Sequence, residues 1–112
     1  MNVTKITYKD KEYDLVFNLN VMEKIQEKYG TVEAWGELAN ADGEPKIKDI
    51  KYGFVEMLNE GIDIYNEDHE DKRDFFTDKQ VGRIISELGI DQIASKLNET
   101  VIESVKSDEK NS

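Results

Sequence analysis

The sequence predicts one α+β domain, with an N-terminal β-hairpin packed on a mostly α-helical body of about four to five helices. Three observations carry this expectation. Apolar side chains alternate only near the start, at Ile6 and Tyr8 and again at Tyr13, Leu15 and Phe17, the period-two signature of half-buried strands. Beyond Asn18 the apolar spacing changes to three and four residues, as helices with one buried face require. The 112 residues include 29 Leu, Ile, Val and Phe, enough for one core and no more. No repeat or linker divides the chain. Residues 1–106 are expected to form the domain and 107–112, without an apolar side chain, a disordered tail.

A two-residue turn at Asp10-Lys11 would place Tyr8 opposite Tyr13, Ile6 opposite Leu15 and Thr4 opposite Phe17. All would share one face. A lone hairpin is marginal in water, so that face should rest on helices. The first helix follows at once, capped by Asn18 or Asn20, with Val21, Met22, Ile25 and Tyr29 as its stripe and Gly30 as its stop. A short second helix after Thr31 carries Val32, Trp35 and Leu38, and the breaker-rich run Asn40–Pro45 ends it.

The third helix is predicted from about Pro45 to Glu60, capped by Gly61, with Ile47, Ile50, Phe54, Met57 and Leu58 buried. Ile62 to Tyr65 then reads as extended. Thr77 and Gln80 have capping-box spacing at the head of a fourth helix, with Phe76 placed to staple onto Val81. Val81, Ile84, Ile85 and Leu88 line its inner face, and Gly89 ends it. The fifth helix starts near Asp91 and repeats Ile93, Ala94, Leu97, Val101 and Val105. About half the chain is expected to be helical.

Charge narrows the function. Fifteen Lys and Arg oppose 25 Asp and Glu, for a net −10. Such a surface disfavours nucleic-acid backbones and anionic membranes as partners. No run of apolar residues is long enough to span a bilayer, and the start lacks a signal-peptide core. Without cysteine there is no disulfide or thiolate site. A cytoplasmic protein is expected. The stretch Glu56–Asp74 holds eight acids against Lys72 and Arg73, so its end, Asn66 to Asp74, reads as a solvated loop.

Little in the chain suggests chemistry. His69 is the sole histidine, in that acidic run, and no second strong ligand is spaced to join it. A calcium loop starting at Asp63 fails, because Asp68 stands where glycine is needed and Asp74 where a bidentate Glu is needed. No nucleophile elbow or phosphate loop is present. Neither cofactor, metal nor catalytic residue is expected, and the reading is of a non-enzyme. Large side chains near loops and helix ends are the candidates for binding: Trp35, Ile62, Ile64, Tyr65, Phe75 and Phe76, with Tyr52 in a similar setting. In a domain this small, most such side chains serve the core. Gly53 and Gly82 inside helices imply close approach, within one chain or across a homo-oligomer.

The run from Tyr13 to Asn20 into Met22–Gly30, then Trp35, Asn59–Asn66 and Lys79–Ile85, in that order and spacing, resembles tail assembly chaperones of long-tailed phages and prophages of low-GC Gram-positive bacteria. The resemblance covers nearly the whole chain. It implies a binding role: holding the tape measure protein soluble, helping to recruit tail tube protein, and leaving before the virion is complete. It also implies a longer product made by ribosomal frameshifting. Glu109-Lys110-Asn111 can be encoded GAA-AAA-AAC, which contains the slippery heptamer A-AAA-AAC. The competing reading is an acidic inhibitor or DNA mimic that occupies a basic nucleic-acid-binding site.

Overall fold

The computed structural model describes residues 4–39 and 46–111, with side chains through Ser104. Two strands, β1 (Thr4–Tyr8) and β2 (Lys11–Leu15), form an antiparallel hairpin. Five helices follow: α1 (Leu19–Tyr29), α2 (Val32–Ala39), α3 (Ile47–Asp68), α4 (Asp78–Leu88) and α5 (Ile90–Asn111). The α+β architecture is as expected, with a helical share above the predicted half.

The hairpin register differs from the predicted one. Tyr8 pairs with Lys11, Ile6 with Tyr13 and Thr4 with Leu15, so the turn is Lys9-Asp10, one residue earlier. Both turn residues have positive φ, 50° and 66°, the type I′ geometry whose twist matches the strands. The change moves each pairing by two residues, which preserves the side-chain faces. Ile6 and Leu15 are therefore buried as expected, while Phe17 lies beyond the strand.

Helix α1 is capped by Asn18, whose side chain accepts from the Val21 amide at 3.2 Å, and Gly30 closes it at φ 89°. Thr31 caps α2 by accepting from Ala34 N–H at 3.0 Å. The breaker run Asn40–Pro45, with the predicted helical start at Pro45, lies outside the described residues.

Helix α3 is the axis of the fold, packing against β2 and every other helix. Ile50, Phe54, Met57 and Leu58 are fully buried along it, whereas Ile47 is exposed. Gly61 does not end it. The helix runs on through Asp68, so Ile62 to Tyr65 is helical and not extended. Gly61 serves packing instead: a Cβ there would fall on the carbonyl oxygen of Asp14 in β2. The Val16 amide donates to Met57 O at 3.3 Å beside it. Gly53 has a matching role, because a Cβ there would lie within the Trp35 indole.

Helix α4 has the predicted capping box, with Thr77 Oγ1 and Gln80 Oε1 each accepting the other residue's amide. Gly89 at φ 100° is the only residue between α4 and α5. Residues predicted as a disordered tail continue α5 to Asn111. No Gly or Pro interrupts that stretch, and its Lys and Glu favour helix. Ser104 Oγ donates to Phe17 O at 3.1 Å, tying α5 to the end of the hairpin.

Candidate functional site

The six predicted binding residues do not form one surface. Trp35 is 3% exposed, in the core, its indole N–H donating to Asp49 O at 2.8 Å. The carboxyl of Asp49, also buried, accepts from Tyr29 Oη–H at 2.5 Å. Burial, then this carboxyl, pushes the Tyr29 phenol well above its ordinary ionisation range. Ile62 is 2% exposed and likewise structural. Both side chains leave almost no surface to a partner.

Tyr65 and Phe76 belong to a ladder of rings joining α3, the hairpin and the segment before α4. Phe76 meets Tyr13 edge-on at 5.2 Å. The Arg73 guanidinium lies over Tyr13 at 5.0 Å and over Tyr65 at 4.0 Å. The His69 ring stacks on Tyr65 at 3.7 Å. Tyr65 Oη–H donates to Asp71 at 3.0 Å, which holds the Asp71 carboxyl below its usual range. His69 Nδ1 lies 2.8 Å from Tyr65 O, and a carbonyl only accepts, so this nitrogen carries the proton. His69 is thereby a helix-end residue. Among the described residues no three His, Asp or Glu side chains converge to hold a metal ion.

The acidic segment after α3 is strapped down. Asn59 pairs with both backbone groups of Phe76, donating to its O at 3.0 Å and accepting from its N–H at 2.9 Å. Asn66 does the same with Arg73, at 3.0 and 2.8 Å. The spacing explains why this works. Seven helical residues rise about 10.5 Å, and three extended residues span about 10 Å. Two asparagine amides two turns apart thus match Arg73 and Phe76 running antiparallel to α3. Lys72 Nζ donates to the carbonyls of Asn66 and His69, capping the end of the helix.

Ile64 and Phe75 remain exposed, at 41% and 53%. Phe75 borders a small cleft of about 150 Å³ whose other walls include Glu56, Glu60 and Asp63. Glu60 Oε2 there accepts from the Asn18 and Asn20 amides at 2.7 and 3.0 Å.

A more apolar opening lies elsewhere. A groove of about 370 Å³ runs between α1, α2 and α5, floored by Phe17, Met22, Val32, Gly36, Ala94 and Val101. Glu33 and Asn98 are the polar residues of its lining. Trp35 also lines the groove, and no other residue of the lining is among the candidates predicted from the sequence. The signal was the width of the α5 stripe: Ile93 and Leu97 are buried, while Ala94 and Val101, one step round the helix, are only half-buried. A stripe wider than its core-facing part leaves apolar surface over.

Glu109, Lys110 and Asn111 form the end of the α5 backbone helix. No helix among the described residues is long and apolar enough to cross a membrane. No protein-family model, curated protein or solved structure matches the chain.

Proposed function

We propose that the protein is a non-enzymatic tail assembly chaperone of a phage or prophage, which holds an amphipathic helix of the tape measure protein in the α1–α2–α5 groove. The observation that carries this reading is the groove itself: an apolar trough of helix-binding character beside a single acid, Glu33. The resemblance in motif order supplies the identity of the partner. In this reading the tail tube protein is the second partner, the site of action is the bacterial cytoplasm, and the chaperone is absent from the mature virion. The net charge of −10 keeps the loaded complex dispersed by like-charge repulsion. Slippage at Glu109-Lys110-Asn111 supplies the longer product.

The test is titration of a soluble tape measure fragment, encoded downstream of this gene, into the purified protein. Gly36 has open space where a Cβ would stand, so Gly36→Leu fills the groove with little strain on the fold. Wild type should bind saturably and Gly36→Leu should lose at least about tenfold, roughly 1.4 kcal/mol. If neither the short chain nor its frameshifted extension binds the fragment, the reading fails. Selective binding of a basic DNA-binding protein, lost steeply with salt, would instead support the DNA-mimic reading.

A further inference from the structure

At the opposite end of the hairpin lies a pocket of inverted charge. The turn and strands supply Tyr8, Lys9, Lys11 and Tyr13, and α4 with its entry supplies Phe76, Gln80 and Arg83, around about 330 Å³. Three of these seven residues are cationic and none is acidic, in a chain where acids outnumber bases 25 to 15. Asp10, between the two lysines in sequence, is not part of the lining.

These cations are not spent on internal pairs. The ion pairs among the described residues use Lys5 and Lys51. Among the described residues Lys9 has only the face of Tyr8, 5.5 Å away. Lys11 and Arg83 pair with no carboxylate among the described residues. The phenol hydroxyls of Tyr8 and Tyr13 donate to no acceptor among the described residues. Gln80 commits its oxygen to the Thr77 amide at 2.8 Å, which leaves its NH₂ to donate. Every polar side chain of the lining can therefore donate, and none offers a carboxylate. The rings of Tyr8, Tyr13 and Phe76 provide apolar walls between the donors.

We propose that this pocket binds an acidic peptide segment of a partner protein. Carboxylates accept from Lys9, Lys11, Arg83 and the phenols, while their methylene stems pack on the three rings. A peptide fits better than a nucleic acid. Phosphodiester charge continues along the strand, and beyond this pocket it would meet a surface dominated by acids. A peptide can confine its charge to a few residues. The pocket shares no residue with the α1–α2–α5 groove, so the proposal stands apart from the tape measure reading.

The test is fluorescence anisotropy of a fluorescein-labelled deca-glutamate peptide titrated with the full chain, with labelled deca-serine and oligothymidylate as parallel probes. Deca-glutamate should bind saturably and more weakly as salt rises, and the other two should not bind. Lys11→Glu with Arg83→Glu should lose at least about tenfold. The neutral pair Lys11→Gln with Arg83→Gln should lose less, in the same direction. Lys48→Glu with Lys96→Glu changes the net charge equally and should stay within about threefold. The proposal is overturned by absence of saturable deca-glutamate binding, by equal losses in the two charge-reversed pairs, or by preference for oligothymidylate.

Discussion

Replacing Gly53 by alanine sets two opposed effects against each other within one helix. Alanine is the better helix former by about 1 kcal/mol. The added methyl, however, would occupy the place of the Trp35 indole. Displacing a packed aromatic costs about 1–3 kcal/mol. The indole N–H would also move off Asp49 O, now 2.8 Å away, and a buried donor without an acceptor costs about 1–3 kcal/mol more. The sum is a net loss of about 1–5 kcal/mol, a large part of a small domain's stability. Gly36→Ala in α2 is the matched control. The same propensity gain applies, and no atom lies within 4 Å of the new Cβ, so this variant should gain about 1 kcal/mol. Urea unfolding followed by the fluorescence of the sole tryptophan and by far-UV circular dichroism measures both. A Gly53→Ala variant as stable as wild type would refute the packing argument, as would a comparable loss in Gly36→Ala.

The two asparagine clamps should be separable by amide hydrogen exchange. Asn66→Ala should release the Arg73 amide by about tenfold or more while Phe76 stays protected, and Asn59→Ala should do the reverse, each loosening the strap by about 1–2 kcal/mol. Alkaline stability should report Tyr29, whose phenol burial and Asp49 push up from its ordinary value of 10.0. Above that value the unfolded chain gives up this proton and the native state keeps it, so the contribution is complete below about pH 10 and declines as pH rises further. Urea midpoints from about pH 8 to about pH 11 should fall more steeply in wild type than in Tyr29→Phe; parallel slopes would refute the assignment.

Local signals were sufficient wherever the demand on a residue is local. The Thr77–Gln80 box and the stops at Gly30 and Gly89 satisfy nearby backbone groups and are readable from a few residues, whereas the cap of α1 narrows only to Asn18 or Asn20. Gly61 shows the limit. By itself a glycine after an apolar stripe reads as a helix stop, and only the approach of Asp14 O reveals that a side chain would not fit. With Gly61 misread, Ile62 to Tyr65 became extended and the acidic run too long. The hairpin register failed for a different reason: turns at Lys9-Asp10 and Asp10-Lys11 put the same side chains on the same face, so hydrophobic pattern cannot separate them. The binding candidates were chosen for size near element ends, a rule that takes in Trp35 and Ile62 as core, and Tyr65 and Phe76 as parts of a ring ladder. It passes over the groove, whose floor includes small residues such as Gly36 and Ala94.

The strap links these features. Without it, the three acids beyond α3, Glu70, Asp71 and Asp74, would sit on a free loop able to fold over the cationic hairpin end. Asn59, Asn66 and Arg73 prevent this by different means: the asparagines hold the segment's backbone along α3, and Arg73 lies between Tyr13 and Tyr65 while donating to Glu12 O at 3.0 Å. Arg73 thus spends the one cation of the strap that touches the hairpin on structure, leaving Lys9, Lys11 and Arg83 to face outward. Loosening the strap should therefore weaken deca-glutamate binding even though neither asparagine lines the pocket, because the released acids compete for the same cations. The double variant Asn59→Ala with Asn66→Ala should show this loss at low salt and recover part of it when Glu70, Asp71 and Asp74 are also neutralised to Asn or Gln. Equal affinity in wild type and the double variant would show that the strap serves stability alone.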